Sequence, residues 1–345
     1  MTDLVDFIVI GGGVAGSAAA AELAGHGSVL LLEMEGQPGY HSSGRSAAIF
    51  ALSYGNDTIR ALTRASHDFF QAPPAASWPT NLLTPRPVLV TATHDQREAL
   101  AFSLAQMVKG DSIEPKTVEE AVAMCPILRP EALVGAALIR TTSDIDVHQL
   151  QQGWLRLLKT RGGRVVTGAE VTGLDRADGQ WTVATREGSF RAATIVNAAG
   201  AWADAIGAMA GALDIGLTPL RRTVCVLDAP GGADTWPMLL DAKEQFYLKP
   251  DAGTLLLSPA DENPSEPCDA QADELDIAIA IDRVERATTL AVRRVAHRWA
   301  GLRSFVADRS PVVGRDPVVP GFVWYAALGG YGIQTAPALG RLAAA

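Results

Sequence analysis

The feature that most constrains this chain is a glycine-rich turn close to its N-terminus. The apolar run Phe7–Ile10 leads directly into GGGVAG at residues 11–16, and small helix-forming residues follow as far as Ala24. A second apolar run, Val29–Leu32, ends at Glu33. This order predicts a strand, a tight turn, a helix and a parallel strand, which together begin a Rossmann-type α/β sheet that binds a dinucleotide.

The glycines fit the pattern G-x-G-x-x-G, and each has a separate physical role. Gly11 allows the tight turn, Gly13 lets the backbone approach a pyrophosphate, and Gly16 lets the helix pack closely on the strand. The free N–H groups and the positive dipole end of the helix N-terminus would then face the phosphates. Glu33 stands where an acid would accept from a ribose hydroxyl, although alone it could equally be a solvated carboxylate at a strand end. The pattern leaves open which dinucleotide binds.

Length and charge limit the classes of protein to which the chain can belong. It has 345 residues, of which 48% are hydrophobic and 19% charged, so two globular domains are expected. Its net charge of −9 disfavours nucleic acid and anionic membranes as partners.

The cysteines and the N-terminus bear on where the protein works. Cys125, Cys225 and Cys268 are far apart, without metal-type spacing, which predicts reduced thiols in a cytoplasmic protein and no metal site. The uncharged stretch Phe7–Ala21 follows a leader with acid and no base, so neither a secretory signal nor a membrane span is expected. The chain ends at Ala345, within the last predicted helix.

A second α/β block begins at Asp146, the predicted N-cap of a helix with Leu150, Trp154 and Leu158 on one face. Short β-like runs broken by Pro and Gly lie near 81–93 and 215–260, outside both α/β blocks. We therefore predict a nucleotide-binding domain in three pieces, with an interleaved mixed α+β substrate domain in two. The nucleotide-binding pieces are residues 1–80, 142–214 and 300–345, and the substrate pieces are 81–141 and 215–299.

Eight ordered sequence blocks resemble one family. They are GGGVAGS (11–17), PGYHSSGRSAA (38–48), PRP (85–87), NAAGAWAD (197–204), RRT (221–223), FYLKPDAG (246–253), WAGLRSF (299–305) and GGYGIQT (329–335). From residue 6 to its end the chain resembles the D-amino acid oxidase-like flavoproteins, and most closely their bacterial D-arginine dehydrogenase branch.

The resemblance implies an FAD cofactor, held noncovalently, since no cysteine lies in these blocks. The second glycine-rich loop would anchor the pyrophosphate and flavin, although alone it also suits a flexible surface loop, and His41 in it is interpreted as structural. The implied cofactor residues are Gly11, Gly13, Val14, Ala15, Gly16, Glu33, Ser43, Gly44, Arg45, Ser46, Ala47, Ala48, Val171, Ala199, Gly200, Trp202, Gly301, Gly329, Gly330, Tyr331, Gly332, Ile333 and Gln334.

The resemblance also implies oxidation of a D-amino acid to its imino acid. Arginine suits the substrate carboxylate because its planar fork binds both oxygens. The implied catalytic residues are Arg222 and Arg303 for the carboxylate, Tyr54 and Tyr247 as pocket hydroxyls, and the Gly330 carbonyl and Gln334 side chain for the amine. Arg303 could instead pair with a structural acid, Tyr247 could be an ordinary sheet aromatic, and Arg221 competes with Arg222 because neighbours on a strand face opposite ways.

The expected side-chain pocket departs from relatives that take cationic D-amino acids. Those carry an acid where this chain has Val88 and a histidine where it has Ile49. With Met238 and Leu240, these residues predict an apolar pocket and a neutral or apolar D-amino acid, because an unpaired buried guanidinium is costly.

Three other functions stay open at this stage. They are oxidation of another amine, imino acid or 2-hydroxy acid (D-hydroxyproline or sarcosine-type), flavin binding without turnover, and nicotinamide chemistry. The expected partners are the small substrate and an electron acceptor, which could be a quinone, another carrier or O2.

Overall fold

The computed structural model describes residues 4–105 and 111–345. Its helices are α1 Val14–Leu23, α2 Asp57–Gln71, α3 Arg97–Ala105, α4 Val118–Met124, α5 Val147–Thr160, α6 Ala203–Ala210, α7 Glu274–Ala287 and α8 Gly332–Ala343. The first ten strands are β1 Leu4–Ile10, β2 Val29–Leu32, β3 Ile49–Phe50, β4 Leu83–Pro85, β5 Val88–Thr93, β6 Ile113–Lys116, β7 Leu133–Ile139, β8 Ser143–Ile145, β9 Arg164–Val166 and β10 Val171–Ala177. The remaining strands are β11 Gln180–Thr185, β12 Gly188–Asn197, β13 Thr218–Asp228, β14 Met238–Asp241, β15 Tyr247–Asp251, β16 Thr254–Ser258, β17 Asn263–Pro264, β18 Val295–Phe305, β19 Val312–Arg315 and β20 Phe322–Ala326.

The first sheet confirms the predicted Rossmann-type core. Its order is β10-β11-β12-β1-β2-β9, with β20 on β12 and β19 on β20. Strand β1 pairs in parallel with both β2 and β12, and the next parallel partners are β9 and β20. Side chains on both faces of β1 are buried, as a parallel sheet covered by helices requires.

Helix α1 lies buried between this sheet and helices α5 and α8. Nine of its ten residues are buried, and its small side chains allow this close packing. A Cβ on Gly340 of α8 would lie 3.1 Å from the Ala18 Cβ, so the two helices are nearly in backbone contact. Helix α5 begins as predicted, with the Asp146 carboxylate accepting from the Gln149 N–H at 2.8 Å.

The second sheet is mixed and has nine strands in the order β17-β13-β16-β15-β14-β5-β7-β6, with β18 on β13. One face packs with α4 and α7 around a core that includes Leu89, Leu138 and Leu248. The opposite face carries Val88, Val90 and Met238, which form a separate apolar cluster and line a cavity shared with loops of the first sheet. Strands β3, β8 and β4 form a small third sheet.

The predicted domain boundaries stay a prediction, and the strands follow a similar but not identical division. The first sheet takes strands from residues 4–32, 164–197 and 312–326, and the second takes them from 88–139 and 218–305. The boundary predicted between residues 299 and 300 falls inside β18, all of which belongs to the second sheet.

No helix within the described ranges is both long and apolar enough to cross a membrane. Among those same residues, no group of three or more His, Cys, Asp or Glu side chains converges so that it could hold a metal ion.

Candidate active site

A cavity of about 950 Å³ runs between the two sheets. At one end lie the glycine turn before α1 and Glu33, and at the other lie Arg222, Tyr247 and the apolar face of the second sheet. All the predicted site residues line it except Gly16 and Gly44. The cavity therefore joins the predicted nucleotide end and the predicted substrate end in one continuous space.

Gly16 and Gly44 support the cavity wall from behind. A Cβ on Gly16 would lie 1.8 Å from the Gly11 carbonyl oxygen, and one on Gly44 would lie 2.4 Å from the Gly39 oxygen. Gly11 itself has a φ of +104° and lies against the Ala198 carbonyl. These glycines allow backbone to pass over backbone, which matches the packing role expected of Gly16.

Glu33 is held rigidly at the end of β2. One carboxylate oxygen accepts from the Gly12 N–H and the other from the Glu35 N–H, both at 2.8 Å. Burial raises the pKa of Glu33, and the two N–H donors act in the opposite direction. The carboxylate thus has a defined place beside the glycine turn, where it can accept a further hydrogen bond from a hydroxyl.

The loop at residues 39–48 crosses the N-terminus of α1. The Ser43 hydroxyl accepts from the Val14 N–H at 2.9 Å. The Arg45 guanidinium turns to the second sheet, where it donates to the carbonyls of Ala270 and Ala300 at 3.0 and 2.9 Å and pairs with Asp269. These contacts tie the loop to β18, so the pyrophosphate contact expected of Arg45 stays a prediction.

His41 has the surroundings of a structural histidine. Its Nε2 lies 2.9 Å from a Glu35 carboxylate oxygen, and its ring lies against Trp202 with centroids 4.7 Å apart. The imidazole therefore links the loop at residues 39–48 to the turn before α6.

Strand pairing brings the two predicted carboxylate-binding arginines together. In the antiparallel pair β13 and β18, Leu220 is opposite Arg303 and Arg222 is opposite Gly301. The Arg222 Nε donates to the Asp261 carbonyl at 2.8 Å, and Arg303 Nη2 donates to the Tyr54 hydroxyl at 3.2 Å. Burial and the nearby Arg303 lower the pKa of Arg222, but a guanidinium stays cationic at neutral pH.

The same strand directs Arg221 away from the cavity. Its guanidinium lies 2.9 Å from Asp276 and 3.3 Å from Asp273, beside α7. Alternation along β13 therefore places Arg222, and not Arg221, at the cavity wall.

Tyr247 and Tyr54 approach the arginines from two directions. Tyr247 opens β15, and burial raises its pKa, so its phenol keeps its proton at neutral pH. Tyr54 precedes α2 and lies against Tyr331 with ring centroids 4.9 Å apart. The two hydroxyls are therefore available as hydrogen-bond donors near the guanidinium pair.

Gln334 and Gly330, the two residues predicted to meet the substrate amine, both have close contacts within the protein. The Gln334 oxygen accepts from the Ala51 N–H at 3.1 Å, and its nitrogen donates to the Thr63 hydroxyl at 3.0 Å. This amide therefore connects α8 to the β3–α2 region, and its predicted contact with substrate remains untested. Gly330 lies directly against Arg303, since a Cβ there would be 1.3 Å from Arg303 Nη2.

The predicted side-chain pocket is an apolar face of the second sheet. Met238, Val88 and Ile139 occupy one row across β14, β5 and β7. Leu240 and Val90 form the next row, and Ile49 and Ile113 close the sides. A separate cluster of charges joins β15, β8 and the residues before β5, where Lys249 and Arg86 both form ion pairs with Asp144, each at 2.9 Å.

Two charged residues beside the arginine pair were missed by the sequence reasoning. A single Glu262 oxygen lies 3.2 Å from Arg222, 3.7 Å from Arg303 and 2.8 Å from Arg309. Glu262 is 40 residues from Arg222 and 47 from Arg309 along the chain, so no local spacing points to the cluster. Arg303 therefore does have an acidic partner, as one alternative in the sequence analysis held. That partner, Glu262, is shared with Arg222 and Arg309.

The chain resembles known proteins both in sequence and in fold. The profile of the family described as FAD dependent oxidoreductase (DAO) matches residues 6–345. Glycine oxidase of Geobacillus kaustophilus is 25% identical over 366 aligned positions, which cover 100% of this chain and 93% of that protein. The crystal structure of glycine oxidase from Geobacillus kaustophilus superimposes with a TM-score of 0.87 at 22% identity, over 99% of this chain and 94% of that one.

Two further similarities are one in sequence, over part of the chain, and one in structure, over nearly all of it. Human mitochondrial dimethylglycine dehydrogenase is 32% identical over 152 residues, which are 43% of this chain and 17% of that protein. L-alpha-glycerophosphate oxidase of Mycoplasma pneumoniae superimposes with a TM-score of 0.87 at 20% identity, over 99% of this chain and 94% of that one. The chain spans less than a third of the length of the mitochondrial dehydrogenases that it matches.

Proposed function

This chain belongs to the FAD dependent oxidoreductase family, and on that basis we propose that it oxidises an amino acid at the carbon that carries the amine. The observation that carries the proposal is the pair Arg222 and Arg303. Both guanidiniums are largely buried, and both reach the cavity beside the apolar face of the second sheet. A planar carboxylate is the ligand that such a pair fits best.

FAD is the cofactor of this family, as the resemblance implied, and the residues that line the cavity fit it. At the glycine turn, a Cβ on Gly12 would lie 2.7 Å from a Glu33 carboxylate oxygen, so side chains are excluded where a dinucleotide needs the backbone. Glu33 would hold the ribose, and the loop at residues 42–48 would lie along the rest of the cofactor. When bound, FAD supplies the acceptor for the hydride that leaves the substrate carbon.

The residues of the chain then bind and orient the substrate. Arg222 and Arg303 hold its carboxylate, and the hydroxyls of Tyr54 and Tyr247 donate further hydrogen bonds. The Gly330 carbonyl accepts from the substrate amine. This arrangement fixes which bond of the substrate faces the cofactor, and such positioning contributes much of the rate in reactions of this kind.

We infer further that the substrate is a D-amino acid with a neutral or apolar side chain. The stereochemistry rests on the resemblance to D-amino acid oxidase-like proteins. The narrower resemblance to D-arginine dehydrogenases stays a prediction, since none of the relatives named above is a D-arginine dehydrogenase. The side chain rests on the wall formed by Val88, Val90, Met238 and Leu240. A guanidinium against that wall would lose several kcal/mol, about the penalty of an unpaired buried charge.

A second candidate is a smaller amine, such as glycine or an N-methylated glycine. The glycine oxidase and dimethylglycine dehydrogenase named above support it, because their names specify such substrates. The same arginine pair would bind either substrate through its carboxylate, so only the side-chain pocket distinguishes the two. Oxidation of a 2-hydroxy acid and flavin binding without turnover remain the less favoured alternatives.

The electron acceptor and the place of action stay predictions. The acceptors proposed from the sequence are a quinone, another carrier or O2. Cys125 and Cys225 are free and buried, and the cytoplasmic location stays a prediction from the sequence.

The function is tested by adding amino acids to the FAD-loaded protein without oxygen and recording its visible spectrum. We expect neutral D-amino acids to bleach the flavin bands faster than their L-isomers, D-arginine, glycine or sarcosine. If glycine or sarcosine bleaches fastest, the smaller-amine function is correct. If no amine or amino acid bleaches the bands, the proposed oxidation is wrong, although the family and cofactor stand.

The apolar pocket is tested by changing Val88, which is 4% exposed. We expect Val88→Glu to raise kcat/KM for D-arginine relative to D-leucine by about tenfold or more, since the new acid can pair with the guanidinium. Val88→Gln is the matched control, with the same shape and no charge. An equal change in both variants, or none in either, would show that this position does not face the substrate side chain.

A further inference from the structure

Beside the substrate end of the cavity, three guanidiniums converge on one carboxylate oxygen. The Glu262 Oε1 lies 2.8 Å from Arg309, 3.2 Å from Arg222 and 3.7 Å from Arg303. Arg222 and Arg303 line the cavity, whereas Arg309 and Glu262 contact this pair without lining the cavity themselves. The Glu262 carboxylate is therefore shared by the two arginines that line the cavity and by Arg309, which we call the outer guanidinium. The contact with the outer guanidinium is the shortest of the three.

Arg309 is held in place independently of Glu262. Its guanidinium carbon lies 3.8 Å from the centre of the Phe305 ring, which is a close cation–π contact. Its backbone has a φ of +60°, and its N–H donates to the Val306 carbonyl at 2.9 Å. The turn is also anchored by Asn56, whose amide donates to the Asp308 carbonyl at 3.3 Å. The chain thus keeps a strained residue at the position that directs this cation to Glu262.

Charge balance gives this arrangement a consequence for carboxylate binding. The side chains of Arg222 and Arg303 are only 16% and 14% exposed, so the charges of their partners are weakly screened. If Glu262 paired fully with these two arginines, it would compete with any carboxylate in the cavity for the same donors. The contact with Arg309 opposes that pairing, because the outer guanidinium takes the same oxygen.

We propose that Arg309 is a positioning residue that draws the Glu262 carboxylate outward and so limits its pairing with Arg222 and Arg303, which keep donors for the substrate carboxylate. This rests on the proposed function only in that the arginine pair binds a carboxylate. It does not depend on which amino acid is oxidised, on its stereochemistry, or on turnover.

The test compares three variants of the FAD-loaded protein, Arg309→Gln, Glu262→Gln and the double variant. Binding of benzoate, pyruvate and acetate is measured from the change in the visible flavin spectrum, and KM and kcat are measured for the best substrate. We expect Arg309→Gln to weaken carboxylate binding about fivefold or more, which is at or above the upper end of the effects measured for partly exposed ion pairs. We also expect it to raise KM while kcat stays the same. We expect Glu262→Gln to bind at least as tightly as the wild type.

The double variant decides between positioning and simple structural support. With Glu262 neutral there is no carboxylate to hold back, so binding in the double variant returns close to the wild-type value. The matched control is Arg298→Gln, an exposed arginine on the same strand as Arg303 that pairs with Glu274 at 2.7 Å. We expect this control to leave carboxylate binding unchanged.

Three results would overturn the proposal. They are unchanged carboxylate binding in Arg309→Gln, a double variant as weak as Arg309→Gln, and a wild-type protein that binds none of the three carboxylates. A protein that binds carboxylates with the expected pattern but oxidises no amine would leave the proposal standing and remove the proposed function instead.

Discussion

Replacing Gly330 with alanine tests how closely the substrate end of the cavity is built around Arg303. A Cβ at this position would lie 1.3 Å from Arg303 Nη2 and 2.0 Å from its Cζ. Gly330 is not among the glycines with a positive φ, so alanine meets no backbone strain there. The three atoms nearest to the added methyl group all belong to the Arg303 guanidinium, so that group must give way first.

The size of the effect follows from these distances. Non-bonded atoms pack at about 3.5 Å, so the Arg303 head must move by about 2 Å. That displacement breaks its 3.2 Å hydrogen bond from Nη2 to Tyr54 and removes it from the carboxylate. Loss of one charged hydrogen bond costs roughly 1.5–3 kcal/mol, which is about a 10- to 150-fold fall in kcat/KM.

The assay combines kinetics with a stability measurement. We expect Gly330→Ala to lose carboxylate binding by this factor while its melting temperature stays within about 3 °C of the wild type, because the displaced atoms end a flexible side chain. Gly231→Ala is the control, since a Cβ added there would have no atom within 4 Å and its φ is not positive. Unchanged benzoate binding in Gly330→Ala, or an Arg303 that has not moved in its crystal structure, would refute the reasoning.

Two further predictions concern the cofactor end and the thiols. Glu33→Gln should weaken FAD binding about tenfold, which is the cost of a lost hydrogen bond to a charged group. The apoprotein of this variant should be as stable as the wild type at pH 7. Burial raises the pKa of Glu33, so what protonated Glu33 contributes to folding stability is present below its usual pKa of 4.5 and is lost as the pH rises through the raised pKa. FAD titration and thermal melts of both proteins check this, and a less stable apoprotein would contradict it. Burial also raises the pKa of Cys125 to about 12 and that of Cys225 to about 11, so at pH 8 only the exposed Cys268 should react with a disulfide reagent in the native protein. All three thiols should react after unfolding. A second fast-reacting thiol in the native protein would show that a buried cysteine is accessible.

The nucleotide end of the cavity could be predicted because its parts are close together in the sequence. Strand β1, the glycine turn, α1 and β2 all lie within residues 4–32, and Glu33 follows at once. Each local preference there agrees with the others, so periodicity and glycine spacing are sufficient. The family and the FAD cofactor were implied by the resemblance of eight short blocks to one family, and both are confirmed.

The substrate end could be predicted only as a set of residue types. The resemblance named Arg222 and Arg303, but their meeting depends on the register of β13 with β18, which places Leu220 opposite Arg303. Register follows from the packing of whole sheets, and a shift of one residue would have exposed Arg221 in place of Arg222. Residue identities alone do not specify that register.

By itself, then, the sequence determined the fold class, the family and the kind of cofactor, because those depend on contiguous patterns. Only the tertiary structure decided which charges meet. It turned Arg45 towards Ala270 and Ala300, and it brought Glu262 and Arg309 beside the arginine pair. The physical reason is that an ion pair depends on distances of a few ångströms between atoms, and the sequence separation of 47 residues between Glu262 and Arg309 carries no information about such a distance.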